Sequence, residues 1–253
     1  MGELDGQVAI VTGAGTGIGV SIARQLAEAG ATLVISAYSS FEGAENLAES
    51  ISDAGGTALA VKSDFRNASN AAAVVDTAID SFGRVDIVVN NAGFTLDKDF
   101  VDCTDQDWDD LLSINLKSMF VTCSAAVPHL ISRGYGRIVN LSSVHSVQHV
   151  PGFVLYGTTK GAINAFTQAM AVELAPHKIT VNAIAPGAIY VPRYDRTGRD
   201  TAEIVKAIPA GTLGDIDDIG RAALFLASPA AGYINGEVMF IDGALTSGMR
   251  LGA

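Results

Sequence analysis

Charge is scarce in this chain, and cysteine nearly absent. Of 253 residues, 17% are Asp, Glu, Lys or Arg, against about 25% in an average soluble domain. Basic residues are the scarcer kind: 16 Lys and Arg face 27 Asp and Glu, a net charge of −11. Nucleic-acid binding needs clustered Lys and Arg to neutralise phosphates, and the sequence holds no such cluster. Nucleic acid and anionic membrane surfaces are therefore excluded as partners. Any anionic ligand has to be held locally, by backbone N–H groups or by a few placed side chains. Two cysteines, Cys103 and Cys123, and four histidines without metal-ligand spacing make neither a disulfide framework nor a metal site. They read as reduced thiols in a cytoplasmic protein. The first residues, Met1-Gly2-Glu3-Leu4-Asp5, lack the basic-then-apolar order of a secretory leader. One long uncharged run, 138–159, contains Asn140, Ser142, Ser143, His145, Ser146, Gln148 and His149. That is too polar for a membrane span and reads as the wall of a pocket.

Apolar residues and glycine are abundant: 49% hydrophobic, with 27 glycines. Short β-branched runs fall at 8–12, 32–36, 58–61, 86–90, 137–141, 180–183 and 238–241, alternating with helical periodicity at 18–29, 42–54, 68–82, 105–132, 155–174 and 215–227. Alternating strands and helices with wholly apolar strands predict an α/β fold: a doubly wound, Rossmann-type, parallel sheet of seven strands. No repeat or linker divides the chain, so 1–253 is expected to form a single domain. The stretch 188–214 breaks the alternation with Pro192, Pro209 and several glycines. A long interruption of this kind is expected to be a lid over the substrate.

The first strand runs into Thr12-Gly13-Ala14-Gly15-Thr16-Gly17-Ile18-Gly19 and then directly into a helix. Glycines let the backbone turn sharply and approach a pyrophosphate, whose charge sits at the positive helix N-terminus. Glycines also serve ordinary turns, but this placement favours a dinucleotide site. Further along come Asn90-Asn91-Ala92-Gly93, Asn115, Ser143, Tyr156 with Lys160 four residues later, and Pro186-Gly187. In this combination and order the chain resembles the short-chain dehydrogenase/reductase family over essentially its whole length.

That resemblance implies strand order 3-2-1-4-5-6-7, a homotetramer and a nicotinamide dinucleotide cofactor. It implies that Thr12, Gly13, Thr16, Gly17, Ile18 and Gly19 cradle the cofactor. Asp64 is expected to bind the adenine amine, with a helix N-cap as the plainer alternative. Asn90, Ala92 and Gly93 are expected to line the groove, although Asn90 also suits a simple strand-end turn. Pro186, Gly187 and the Ile189 backbone are expected at the carboxamide. Family members that prefer NAD place Asp at the tip of the second strand, where this chain has Ala37. Tyr38, Ser39 and Ser40 follow it as hydroxyl donors for a 2′-phosphate, unless Ser39 and Ser40 only cap the next helix. NADP(H) is therefore favoured and NAD(H) possible. Two departures stand against the usual NADP pattern and loop contact: Thr16 replaces a common Arg or Lys, and Val191 a common Thr.

Tyr156 and Lys160 share one helix face. Carbonyl reduction builds charge on the substrate oxygen, which needs a proton donor and an electrophilic hydrogen bond. By the resemblance, Tyr156 exchanges the proton, Ser143 hydrogen-bonds the oxygen, Lys160 favours the phenolate and holds the nicotinamide ribose, and Asn115 anchors a water leading to solvent. Ser143, His145, Phe153 and Tyr190 are the expected substrate contacts. With Phe94, Val147 and Val150, they suit a small-molecule ketone or secondary alcohol of low polarity. Alternatives are a sugar 1-dehydrogenase, whose branch the motifs partly resemble, and a 3-oxoacyl thioester reductase, for which Arg133, Arg137, Arg193, Arg196 and Arg199 would supply a docking patch. A non-catalytic cofactor-binding or scaffold protein is the alternative of another class.

Overall fold

The computed structural model describes residues 2–191, 194 and 201–248. Strands β1 (Val8–Thr12), β2 (Thr32–Ala37), β3 (Ala58–Lys62), β4 (Ile87–Asn90), β5 (Gly136–Leu141), β6 (Ile179–Pro186) and β7 (Val238–Ile241) form one sheet. Its order is β3-β2-β1-β4-β5-β6-β7, and every pairing is parallel. Helices α1 (Ile18–Glu28), α2 (Phe41–Asp53), α3 (Asn70–Phe82), α4 (Asp105–Leu112), α5 (Ser118–Arg133), α6 (Val154–Leu174), α7 (Ala202–Ala207) and α8 (Ile216–Ala227) complete the described elements of length.

The apolar runs read as strands because both faces are covered, and alternate residues go to opposite cores. Ala9 and Val11 of β1 join Leu33, Ile35, Val89 and Val139 in one core, closed by Ile22 and Leu26 of α1 and Ile219 of α8. Val8 and Ile10 point the other way, to Val34, Val88, Ile138 and Val181, beneath Val74 of α3, Leu130 of α5 and Ile163 of α6.

Most boundaries lie within two residues of expectation. Strand β6 runs on to Pro186, where it pairs with Ile241 of β7. The helix expected at 105–132 is not uniform: residues Ser113–Lys117 form a π-helical turn between α4 and α5. By length and composition, Asp105–Arg133 would suffice to cross a membrane. Here its Met119, Cys123, Ala126 and Leu130 are packed in the core. At the base of the sheet Asp86 accepts from the Val8 N–H and from Arg84 and Arg133, which fixes the entry of β4 beside β1.

The interrupted stretch after β6 has its two ends tied together. Tyr190 N donates to Gly214 O at 2.8 Å and Gly214 N to Ala188 O at 3.0 Å. Of the residues invoked there, Pro192, Arg193, Arg196, Gly198 and Arg199 lie outside the described residues.

Candidate active site

A parallel sheet ends all its strands on one edge, and the crevice there forms where strand order reverses, between β1 and β4. Two loops meet at that point. Gly13 (φ +69°) and Gly17 (φ +61°) hold left-handed backbone between β1 and α1, which side-chain-bearing residues resist. A Cβ on Gly13 would sit 2.7 Å from the Ala92 Cα, and one on Gly19 would run into the Gly13 carbonyl and the Asn91 side chain. The Thr12 Oγ accepts from the N–H groups of Asn91 and Ala92, each at 3.0 Å. In return, Asn91 Nδ2 donates to the carbonyls of Thr12 and Gly13, each at 2.9 Å. The α1 N-terminus carries no side-chain cap and no acid in its first turn, so its N–H groups and positive dipole end remain available to an anion.

These loops floor a cleft of about 690 Å³. Along it lie Gly13, Thr16, Gly17, Ile18 and Gly19; then Tyr38, Ser39, Ser40 and Asp64; then Ala92 and Gly93; and finally Ser143, Tyr156, Lys160, Pro186, Gly187 and Ile189. Val191 lines it too, beside Gly17. Two residues expected in the groove lie behind it. Thr12 is buried and spends its hydroxyl on the Asn91–Ala92 turn. Asn90 is buried in the sheet, where its Nδ2 donates to Asn140 Oδ1 at 2.8 Å and approaches Cys123 Sγ at 3.4 Å. As the last residue of β4, Asn90 turns its side chain along the strand pair rather than outward.

At the second strand's tip, Ser40 occupies the N-cap position of α2 but makes no side-chain capping bond. Asp64 does not cap α3, whose N-cap position is Ser69. Its carboxylate instead accepts from Arg66: from the backbone N–H at 3.0 Å, from Nε at 3.0 and 3.1 Å, and from a terminal guanidinium nitrogen at 2.6 Å. That donor holds the Asp64 carboxyl below the ordinary carboxylate range.

At the other end, Lys160 is 5% exposed. Its Nζ donates to the Leu141 carbonyl at 2.7 Å and lies 5.6 Å from the centre of the Tyr156 ring. Burial brings the ammonium pKa down to about 8. Ser143 follows β5, and its Oγ accepts from the His145 N–H at 3.2 Å. Asn115 sits on the π-helical turn, a device found often at functional sites. Its Oδ1 accepts from Phe94 N at 2.9 Å and its Nδ2 donates to Phe94 O at 3.0 Å. The asparagine side chain therefore shapes the 93–95 loop. A Cβ on Gly93 would lie 3.1 Å from Asn115 Oδ1 and 3.9 Å from Lys160 Nζ, so the three meet at one point.

The expected substrate contacts are only partly gathered. Ser143 lines the cleft. His145 and Phe153 pack with their rings tilted by 37° at 4.7 Å and present edge contacts to Tyr156 at 6.0 and 5.9 Å. They buttress the tyrosine from outside the cleft lining. His145 is partly buried, which lowers its pKa, with Nδ1 3.1 Å from the Gln148 carbonyl. Tyr190 faces a smaller hollow formed with Val205 and residues 211–215. It is displaced because its N–H is tied to Gly214.

A family model described as enoyl-(acyl carrier protein) reductase matches residues 13–246. NovJ of Streptomyces niveus, a short-chain reductase protein, is 39% identical over 245 residues, covering 93% of this chain and 92% of that protein. The chain belongs to the short-chain dehydrogenase/reductase family. 3β-Hydroxysteroid dehydrogenase 1 of Eggerthella lenta, 36% identical over 96% of this chain and 95% of its own length, is similar as well. So is the structure of a gluconate 5-dehydrogenase from Burkholderia cenocepacia in complex with NADP and tartrate: 36% identity, TM-score 0.90, 97% of each chain covered.

In this short-chain dehydrogenase/reductase the cleft also holds residues that motif reading passed over. Ser36, Asn91, Phe65, Arg66, Thr95 and Ile114 line it. Asn91 belongs to the quoted Asn-Asn-Ala-Gly run, so its signal was present. The i, i+2 spacing of Asp64 and Arg66 is a turn signal, and it becomes informative only beside the general shortage of charge.

Proposed function

We propose that this oxidoreductase interconverts a ketone and a secondary alcohol with NADP(H), and that Tyr156 carries the proton. The observation behind the reading is a buried ammonium, Lys160, held beside the Tyr156 ring in the same cleft as the glycine turn. The cleft fits a nicotinamide dinucleotide on its own terms. It has glycines where any Cβ would collide, an uncapped helix end, and at the β2 tip a buried Ser36 hydroxyl without a protein partner. A bound nicotinamide supplies or accepts the hydride.

The chain's own residues do the rest. Tyr156 gives a proton to the substrate oxygen during reduction and recovers it in the reverse direction. Ser143 donates a hydrogen bond to that oxygen, so that developing charge is met by a fixed dipole. The Lys160 cation favours negative charge on the phenol oxygen, and its remaining donors suit ribose hydroxyls. Asn115 fixes the 93–95 loop over the lysine. Phe94 lines the cleft and, like Val147 and Val150, is exposed; these residues favour a substrate of modest polarity. NADP(H) is preferred because Ala37 brings no carboxylate to repel a 2′-phosphate; the similar gluconate 5-dehydrogenase was solved with NADP. A cytoplasmic homotetramer is in keeping with two unpaired cysteines and with exposed Phe120 and Val172 on α5 and α6.

The decisive experiment follows nicotinamide absorbance with each cofactor against simple ketones, secondary alcohols, glucose, gluconate and an acetoacetyl thioester. Turnover of ketones and secondary alcohols supports the reading. Turnover of glucose alone assigns a sugar 1-dehydrogenase, of the thioester alone an acyl reductase. No turnover with any pair, with cofactor still bound, points to a non-catalytic protein.

A further inference from the structure

Among the described residues lining the cleft, the charged side chains are Lys160, Arg66 and Asp64. Lys160 belongs to the Tyr156 end. Arg66 follows β3, and four interstrand spacings separate β3 from β5 in the sheet order, about 19 Å at ~4.8 Å each. In a protein of net charge −11, a second cation at the far end of one cleft needs a reason.

Its surroundings supply one. The guanidinium carbon lies 5.1 Å from the centre of the Tyr38 ring, and Tyr38 is the first residue beyond the tip of β2. Ala37, at that tip, puts no acid there. Asp64 grips Arg66 through the contacts given above, and the pair is partly exposed, 51% and 27% for the two side chains. Arg66 is thus held over an aromatic ring at the rim that also carries Ser39 and Ser40. A planar guanidinium so placed suits a phosphate monoester, with which it forms two parallel hydrogen bonds.

Resting on the reading of this cleft as a dinucleotide site, we propose that Arg66 selects NADP(H) over NAD(H) as the counter-charge of the 2′-phosphate, with Asp64 and Tyr38 as its positioning residues. Asp64 neutralises the guanidinium until the phosphate arrives. The dianionic phosphate then takes over part of the guanidinium's hydrogen bonding, and a ligand lacking it leaves the ion pair closed.

The test measures dissociation constants of NADP+, NAD+, 2′,5′-ADP and 5′-AMP by calorimetry on the full-length protein, without turnover. Wild type is expected to bind NADP+ and 2′,5′-ADP at least about tenfold more tightly than their partners lacking the 2′-phosphate. The margin narrows as ionic strength rises, because the pair is exposed. In Arg66→Ala the margin falls below about threefold, while Arg66→Lys retains part of it. The double variant D64N/R66A stays equally undiscriminating, which separates loss of the cation from repulsion by an abandoned Asp64. Unchanged discrimination in Arg66→Ala overturns the proposal and leaves the phosphate to the hydroxyls of Tyr38, Ser39 and Ser40. A wild type that prefers NAD+ overturns it as well, with the hydride-transfer reading intact. Failure of both dinucleotides to bind removes the cofactor reading itself, and the proposal with it.

Discussion

Lys160 Nζ donates to the Leu141 carbonyl at 2.7 Å, so an ammonium drawn from the second turn of α6 is anchored on the last residue of β5. The bond places the cation under the Tyr156 ring and fixes where α6 crosses the sheet's edge. Burial disfavours the charge, and the anchoring carbonyl offsets only part of that cost.

A pH dependence of stability follows. The folded pKa, about 8, lies below the roughly 10.4 of an unfolded lysine. The unfolded chain therefore binds the proton more tightly between these values, and stability attributable to this residue rises with pH across that window. Below about pH 8 the protonated lysine weakens the fold by about 3 kcal/mol. Lys160→Met removes that cost. Denaturant unfolding at stepped pH should show wild type gaining on Lys160→Met from about pH 8 to about pH 10. A gap independent of pH contradicts a desolvated ammonium.

Tyr156→Phe should bind dinucleotide as wild type does, within about twofold, and lose about a thousandfold in kcat, the scale of a positioned general acid. The ring contacts with His145 and Phe153 need no hydroxyl, so the variant should fold. Full turnover in Tyr156→Phe removes the assigned proton donor.

Thr12→Val tests a buried residue outside the cleft lining. Its hydroxyl satisfies two N–H groups of the 91–92 turn, and leaving them unsatisfied should cost about 2 kcal/mol or more. The same change loosens the wall facing Gly13, so dinucleotide affinity should fall together with unfolding free energy. Loss of neither would mean that the turn is held without Thr12.

The two cysteines should differ in reactivity. Burial pushes the Cys123 thiol up to about 12, whereas Cys103 is partly exposed. A thiol reagent at mildly alkaline pH should therefore modify Cys103 in the native protein and reach Cys123 only after unfolding. Rapid labelling of both native thiols speaks against the packing of α5 on the sheet.

Local pattern carried much of the fold, for a physical reason. Strands buried on both faces must be apolar throughout, and helices covering them must repeat at 3.6 residues, so 8–12 and 238–241 were legible to the residue. The π-helical turn at Ser113–Lys117 was not. Hydrophobic period reports which face is buried, not which carbonyl each N–H chooses.

In the site, legibility depended on whether a residue's role was local. Tyr156 and Lys160 share a helix face by spacing alone, and Gly13 and Gly17 need their backbone angles whatever lies opposite. Asn90 and Thr12 carry the right chemistry at strand ends, yet the neighbouring strands turn both side chains inward. The sequence by itself determined the family, the alternation of elements and the proton-transfer candidates. Only the tertiary structure decided which polar groups face the cleft. The family's strand order already set β3 beside β2, but the contact of Arg66 with Tyr38 came only from the folded loops. Parallel strands are joined through crossovers rather than hairpins, so no local pattern in the chain announces that side-chain contact.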